Sequence, residues 1–185
     1  ERGTITTLLV SQLSRAEIAL GKVLTTVTMA ILSVVLNLVS LVLGMLLLAR
    51  ATGEELPTGL LDVLSVSSIL ELLVVLLPFG CMVSAGIVLL GTFARNSKEG
   101  NLYVLPLFFL VMALGMASSG MDASVGVGLY AVPFMGPLLA IKQVILSTDH
   151  VAGFVVAVLS SLVYTVMLIW PAVRLYQREE VLFRM

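Results

Sequence analysis

The sequence has little charge, few aromatic side chains, and almost no histidine or cysteine. Of its 185 residues, 11% are charged and 6% are aromatic, with one histidine and one cysteine. A soluble domain carries about 25% charged residues, so this chain lacks the polar surface of one. A single cysteine excludes an internal disulfide, and no Cys/His spacing fits a metal site. No Gly-x-x-x-x-Gly-Lys-Ser/Thr segment occurs, so nucleotide hydrolysis is not expected on this chain.

Long apolar runs fill the sequence instead. Hydrophobic residues make up 59% of it, and the mean hydropathy is +1.15. Windows without a charged residue cover 23–49, 72–94, 100–121 and 151–173. Each exceeds the roughly 20 residues with which a helix crosses about 30 Å of hydrocarbon, where backbone groups must pair within the segment. The sequence therefore predicts an all-α, polytopic membrane protein with four transmembrane helices. We place the spans at about 23–49, 69–94, 101–121 and 151–173.

A further charge-free window, 123–141, differs from the four spans. Its glycines and prolines interrupt a continuous helix, and Gly136-Pro137 is a favourable helix start with proline at the first position. The helix that it opens, at about 137–147, is only about 16 Å long, too short to cross the bilayer. The pattern predicts that 123–147 is a re-entrant or interfacial segment on the outer side, before the last span.

Lysine and arginine are distributed unevenly between the two sides of these spans. The side that holds both termini carries most of them: Arg2, Arg15, Lys22, Arg95, Lys98, Arg174, Arg178 and Arg184. The other side carries only Arg50 and Lys142. Basic residues accumulate in cytoplasmic loops, so both termini are expected on the cytoplasmic side. The membrane itself is expected to be the inner or plasma membrane of the cell. The net charge of −1 predicts no nucleic-acid partner.

The first residues form an amphipathic segment separate from the first span. Its apolar residues recur at helical spacing, and Ser14-Arg15-Ala16-Glu17 matches a capping box that starts a new helix. We therefore divide the chain into a cytoplasmic helix at 1–14, a transmembrane domain at 15–176 and a cytoplasmic tail at 177–185. The pattern alone fits either contact with a soluble partner or an anchor in the bilayer interface.

Two groups of polar residues inside the spans are candidates for function. The first span carries a stripe of small and polar residues on one side: Thr26, Ala30, Ser33, Asn37, Ser40 and Gly44. It fits a polar pathway, or a close helix seam with Asn37 hydrogen-bonded across it. Glu71 fits an intramembrane carboxylate for a cation, or a cap on the second span, since Ser68-Ile69-Leu70-Glu71 matches a capping box.

Several stretches resemble one transporter family. Residues 1–11 read Glu-Arg-Gly-Thr-Ile-Thr-Thr-Leu-Leu-Val-Ser, and 13–22 read Leu-Ser-Arg-Ala-Glu-Ile-Ala-Leu-Gly-Lys. The polar link at 93–99, Val132-Pro133-Phe134 before a short helix with a basic residue, and the Arg-Glu-Glu-Val-Leu-Phe-Arg tail follow in order. Together they resemble the permease subunits of type-2 ABC exporters, most closely the sodium-efflux (NatB-like) branch. The resemblance covers the whole chain in pieces.

The resemblance implies a fold, a mechanism and partners. The family has six spans, and the four here correspond to spans three to six, so the first two would lie upstream or on another chain. Two permeases pair, identical or different, and a coupling helix docks each on an ABC ATPase subunit that holds ATP and magnesium. This chain would bind no cofactor itself. The implied ATPase contacts are Glu1, Arg2, Gly3, Thr4, Leu8 and Leu9. Gln12 departs from the proline usual in the family, which affects the bend after the coupling helix.

Two other functions stay open from the sequence. The glycine- and proline-rich segment 126–137 fits half of an ion-gradient-driven secondary transporter with broken helices. The lack of an acidic or basic residue deep in any span disfavours that alternative. A membrane assembly subunit without transport activity is the second. Sodium, a drug-like amphiphile, a lipid or a peptide are all open as substrates of an exporter.

Overall fold

The computed structural model describes residues 15–52, 65–94, 96–121, 125–148 and 151–177. All regular secondary structure within these ranges is helical, and they contain no strand. The α-helices are α1 (Arg15–Thr52), α2 (Val66–Gly91), α3 (Ser97–Ser119), α4 (Met135–Ile145) and α5 (Val151–Gln177), and a 3₁₀ helix covers Val127–Ala131.

Four of these helices are long and apolar enough to cross a membrane. The candidate spans are Val23–Ala51, Val66–Gly91, Ser97–Ser119 and Val151–Leu175. The shortest has 23 residues, which rise about 34 Å and exceed the hydrocarbon core. The prediction of an all-α polytopic membrane protein with four transmembrane helices is confirmed.

Helix α2 is the centre of the bundle and packs against all four other α-helices. Glycine permits its close approaches: a Cβ on Gly80 would lie 3.2 Å from Val34 Cγ2 of α1, and one on Gly86 would lie 3.3 Å from Leu107 Cδ2 of α3. In the described part of the chain α3 touches only α2 and α4. Most described side chains of α1 and α3 are exposed and apolar, a surface suited to contact with lipid or another polypeptide.

The short helix α4 lies inside the bundle, against α2, α3 and α5. Seven of its 11 residues are buried. It begins at Met135, so Pro137 occupies the third helical position and not the first as the sequence suggested. The turn before it explains the earlier start: Phe134 has φ 63°, and the Met135 amide donates to the Pro133 carbonyl at 2.8 Å. This is a γ-turn of the strained kind, which the packing around α4 must hold in place.

The other end of α4 is closed by its own backbone. The Ser147 amide donates to the Val144 carbonyl at 3.2 Å, and the Thr148 amide donates to the Gln143 carbonyl at 3.1 Å. These two bonds form a Schellman motif with Ser147 in the left-handed region, at φ 51°. The motif turns the chain sharply, so that α5 begins beside the end of α4.

Candidate functional site

Tyr130 of the 3₁₀ helix anchors α4 and α5 to each other. Its side chain is 2% exposed, and its hydroxyl accepts a hydrogen bond from Gln143 Nε2 of α4. Its carbonyl accepts one from Ser160 Oγ of α5 at 3.2 Å. Burial raises the pKa of the Tyr130 phenol, which therefore stays protonated. Gly153 lies against the ring, where a Cβ would come within 2.9 Å of it.

Lys142 of α4 binds the end of α3. Its ammonium donates to the carbonyls of Ser118 at 3.1 Å and Ser119 at 2.9 Å, and also to the carbonyl of Met121. These carbonyls belong to the last turn of α3 and the residues after it, where helix bonding leaves acceptors unpaired and the dipole favours a cation. Lys142 therefore acts within the fold, by holding the end of α3.

A cleft of about 500 Å³ lies where α2 and α5 begin and α4 ends. Its lining is half polar and half apolar, contributed by Ser68, Glu71, Gln143, Val144, Ser147, Thr148, Val151, Phe154 and Val155. Glu71 is the only ionisable side chain among these described lining residues. A cavity of this size falls in the range of about 300–1,000 Å³ typical of small-molecule sites. This cleft is the candidate functional site.

The structure corrects the predicted capping role of Glu71. Helix α2 begins at Val66, and its N-cap is Ser65, whose Oγ accepts from the Ser68 amide at 3.2 Å. Ser68 is therefore inside the helix, and Glu71 is its sixth residue, beyond the unpaired amides of the first turn. The Ser65 cap lies three residues earlier than the sequence pattern indicated. The exposed Glu71 side chain faces the cleft.

Gln143, Tyr130 and Phe154 were not predicted from the sequence as site residues. A signal for Gln143 was present, because it is a polar residue with apolar neighbours in a short buried helix, where an amide needs a partner. Tyr130 gave no local signal, since its hydrogen-bond partners, Gln143 and Ser160, are 13 and 30 residues away along the chain.

The polar stripe of the first span lies apart from the cleft. Ser33, Asn37, Ser40 and Gly44 are exposed, whereas Thr26 is half-buried. Asn37 Nδ2 donates to the Ser33 carbonyl of its own helix at 2.8 Å, so the expected hydrogen bond across a seam does not form within the described chain. The adjacent side of α1, with Val34 and Leu38, packs on α2, and Ala30 of the stripe lies at the edge of that contact, near Gly80. The exposed part of the stripe, from Ser33 to Gly44, is thus an outer surface of this bundle.

The implied ATPase contacts, Glu1, Arg2, Gly3, Thr4, Leu8 and Leu9, lie outside the described residues. Within those residues, no group of three or more His, Cys, Asp or Glu side chains could hold a metal ion.

The bundle of apolar helices with a short buried helix defines this chain as a multi-pass membrane protein. The family model described as ABC-2 family transporter protein matches residues 1–173. The chain therefore belongs to the ABC-2 family of transporter proteins, and it is the permease part of an ABC transporter. Such a membrane domain is not itself a catalytic domain. Neither the curated proteins nor the solved structures gave a match to the chain.

Proposed function

We propose that this chain is the membrane-spanning part of an ATP-driven exporter, which couples ATP binding and hydrolysis on a partner ATPase to substrate export. The observation that carries the proposal is the family match over residues 1–173, which includes the amphipathic N-terminal segment. ABC-2 permeases generally work with an ABC ATPase and dimerise. ATP and magnesium are held by the partner, because this sequence has no phosphate-binding loop.

The coupling contact is proposed for residues 1–14. Leu8 and Leu9, with Glu1, Arg2, Gly3 and Thr4, form the surface that meets the ATPase. Burial of one leucine at such a contact contributes roughly 1.5–3 kcal/mol, enough for a single charged substitution to break it. The excess of lysine and arginine on the side of both termini supports a cytoplasmic location for this segment, where an ATPase would find its nucleotide.

The assembled transporter extends beyond this bundle. The exposed α1 stripe of small and polar residues is the surface on which a further helix would pack closely, either from a second permease copy or from the two spans expected upstream. A polar path along the same surface is the other role that the stripe fits. The order of the family-like stretches supports the sodium-efflux (NatB-like) branch, and the acidic cleft supports a cationic substrate.

Copurification tests the proposal. The full protein, extracted in mild detergent, is expected to retain an ATPase subunit, and Leu8→Asp is expected to lose it because a charge enters the apolar contact. Thr7→Asp is the matched control, since Thr7 lies on the opposite side of the same predicted helix and should leave the complex intact.

Two results would count against this function. If no ATPase copurifies with the unchanged protein, the gradient-driven alternative takes precedence. If the ATPase is retained by Leu8→Asp as well as by Thr7→Asp, the contact lies elsewhere and the assignment of residues 1–14 is wrong.

A further inference from the structure

We propose that the cleft between α2, α4 and α5 is a binding site for an organic cation with an apolar body, such as a quaternary ammonium or phosphonium ion. The binding site itself follows from the cleft, and only the identification of its ligand as the exported substrate rests on the proposed function. Nothing in the family match assigns this cleft a ligand.

The first argument is the unsatisfied acceptor of a buried side chain. Gln143 is 4% exposed and lines the cleft, and its Nε2 is used on the Tyr130 hydroxyl. Among the described residues no donor reaches its Oε1. Every fully buried side-chain nitrogen and oxygen of the described residues has a hydrogen-bond partner, so this Oε1 is not sealed inside the protein. A buried amide that lines a cavity and is held by one hydrogen bond keeps an oxygen that can accept from a positively charged or donating group.

The second argument is the negative charge of Glu71, which lines the same cleft. The basic residue of α4, Lys142, donates its hydrogen bonds to three carbonyls at the end of α3. The starts of α2 and α5 would favour an anion, but a helix end is equivalent to about half a charge and a carboxylate to a full one. The full charge of the Glu71 carboxylate is also located at the wall of the cavity, where a ligand can contact it. Among the described lining residues the balance of charge therefore favours a cation.

The third argument is the apolar half of the lining. Phe154, Val151 and Val155 of α5 and Val144 of α4 form a wall next to the two acceptors. A bare metal ion gains nothing from such a wall, and the two acceptors supply fewer oxygens than the six or more that a hard divalent cation needs. An aromatic ring beside a carboxylate instead suits an organic cation, which is attracted by both.

The fourth argument is the depth of Glu71 in the membrane. The carboxylate is on the sixth residue of a 26-residue helix that rises about 39 Å. It therefore lies about 7 to 8 Å from the helix start, close to the edge of a hydrocarbon core of about 30 Å. An amphiphilic cation resides at this depth, with its charge near the headgroups and its body in the acyl chains.

A pair of probes with the same shape and opposite charge tests the proposal. Tetraphenylphosphonium binding to the purified full protein is measured by equilibrium dialysis without an ATPase, and tetraphenylborate is the matched anion. Glu71→Gln is expected to raise the Kd of tetraphenylphosphonium at least about tenfold, which corresponds to about 1.4 kcal/mol. Glu71→Asp keeps the charge and is expected to retain binding. Glu99→Gln, the same change at the opposite end of the bundle, is expected to have no effect.

A second measurement keeps the wild-type carboxylate. In a Cys81→Ser background, Ser147→Cys places a thiol at the cleft, and tetraphenylphosphonium is expected to slow its alkylation several-fold while tetraphenylborate does not. Equal Kd values for the wild type and a folded Glu71→Gln, equal effects of the two probes, or an unprotected thiol would each overturn the site. Because no ATPase is present, these outcomes are independent of the copurification result.

Discussion

Replacing Gly136 by alanine tests whether α4 is locked against Tyr130 as the structure indicates. A Cβ at this position would lie 2.0 Å from the Tyr130 carbonyl oxygen and 2.8 Å from its carbonyl carbon. Relief requires a shift of about 1 Å in the backbone of Tyr130, since real contacts of this kind are at least about 3 Å long. That backbone is held by the Ser160 hydrogen bond and by the packing of its ring on Gly153.

The magnitude follows from two opposing effects. Alanine in a helix is favoured over glycine by up to about 1 kcal/mol, whereas overpacking a tight site costs about 1–3 kcal/mol and more when backbone must move. We expect a net loss of about 2 kcal/mol or more, which lowers Tm by about 4–8 °C for a chain of this length. The assay is thermal stability in detergent, followed by size-exclusion chromatography after heating.

Gly115→Ala in α3 is the matched control. A Cβ there would meet nothing within 4 Å in the described structure, so only the gain in helix propensity applies and Tm should stay or rise slightly. If Gly136→Ala melts at or above the temperature of Gly115→Ala, the close packing of α4 beneath Tyr130 is refuted.

Two more contacts of α4 lead to predictions. Lys142→Met removes three hydrogen-bond donors from the carbonyl end of α3 and is expected to lower the free energy of unfolding by about 1–3 kcal/mol. The control Lys98→Met changes an exposed position and should leave the stability unchanged. Equal Tm values for the two variants would contradict the contact. Tyr130→Phe leaves the Gln143 amide without its acceptor and is expected to cost about 1–3 kcal/mol, unlike Tyr103→Phe at an exposed site. The double variant Tyr130→Phe/Gln143→Leu should lose less than the sum of its single changes, and strict additivity of the measured losses would refute the pairing.

The membrane-spanning architecture could be predicted from the sequence because it depends on local composition. A window of 20 or more residues without charge has one stable state in lipid, a helix, whatever its neighbours are. The four spans and the separate character of 123–147 follow from that rule. Helix boundaries were less accurate: the Ser68 pattern suggested a start that the structure places at Ser65, three residues earlier. Both serines precede an apolar run, and local sequence does not separate them.

Side-chain roles were decided by the tertiary structure. Glu71 does not cap α2 but faces a cleft, Asn37 Nδ2 donates to its own helix within the described chain, and Lys142 holds the end of α3. The hydrogen bond between Tyr130 and Gln143 joins residues 13 apart, with a turn at positive φ between them. Hydropathy and periodicity predict which segments span the membrane and which side of each helix is apolar. They carry no information on which helix lies beside which, and that packing alone brings a buried amide and a carboxylate to one cavity.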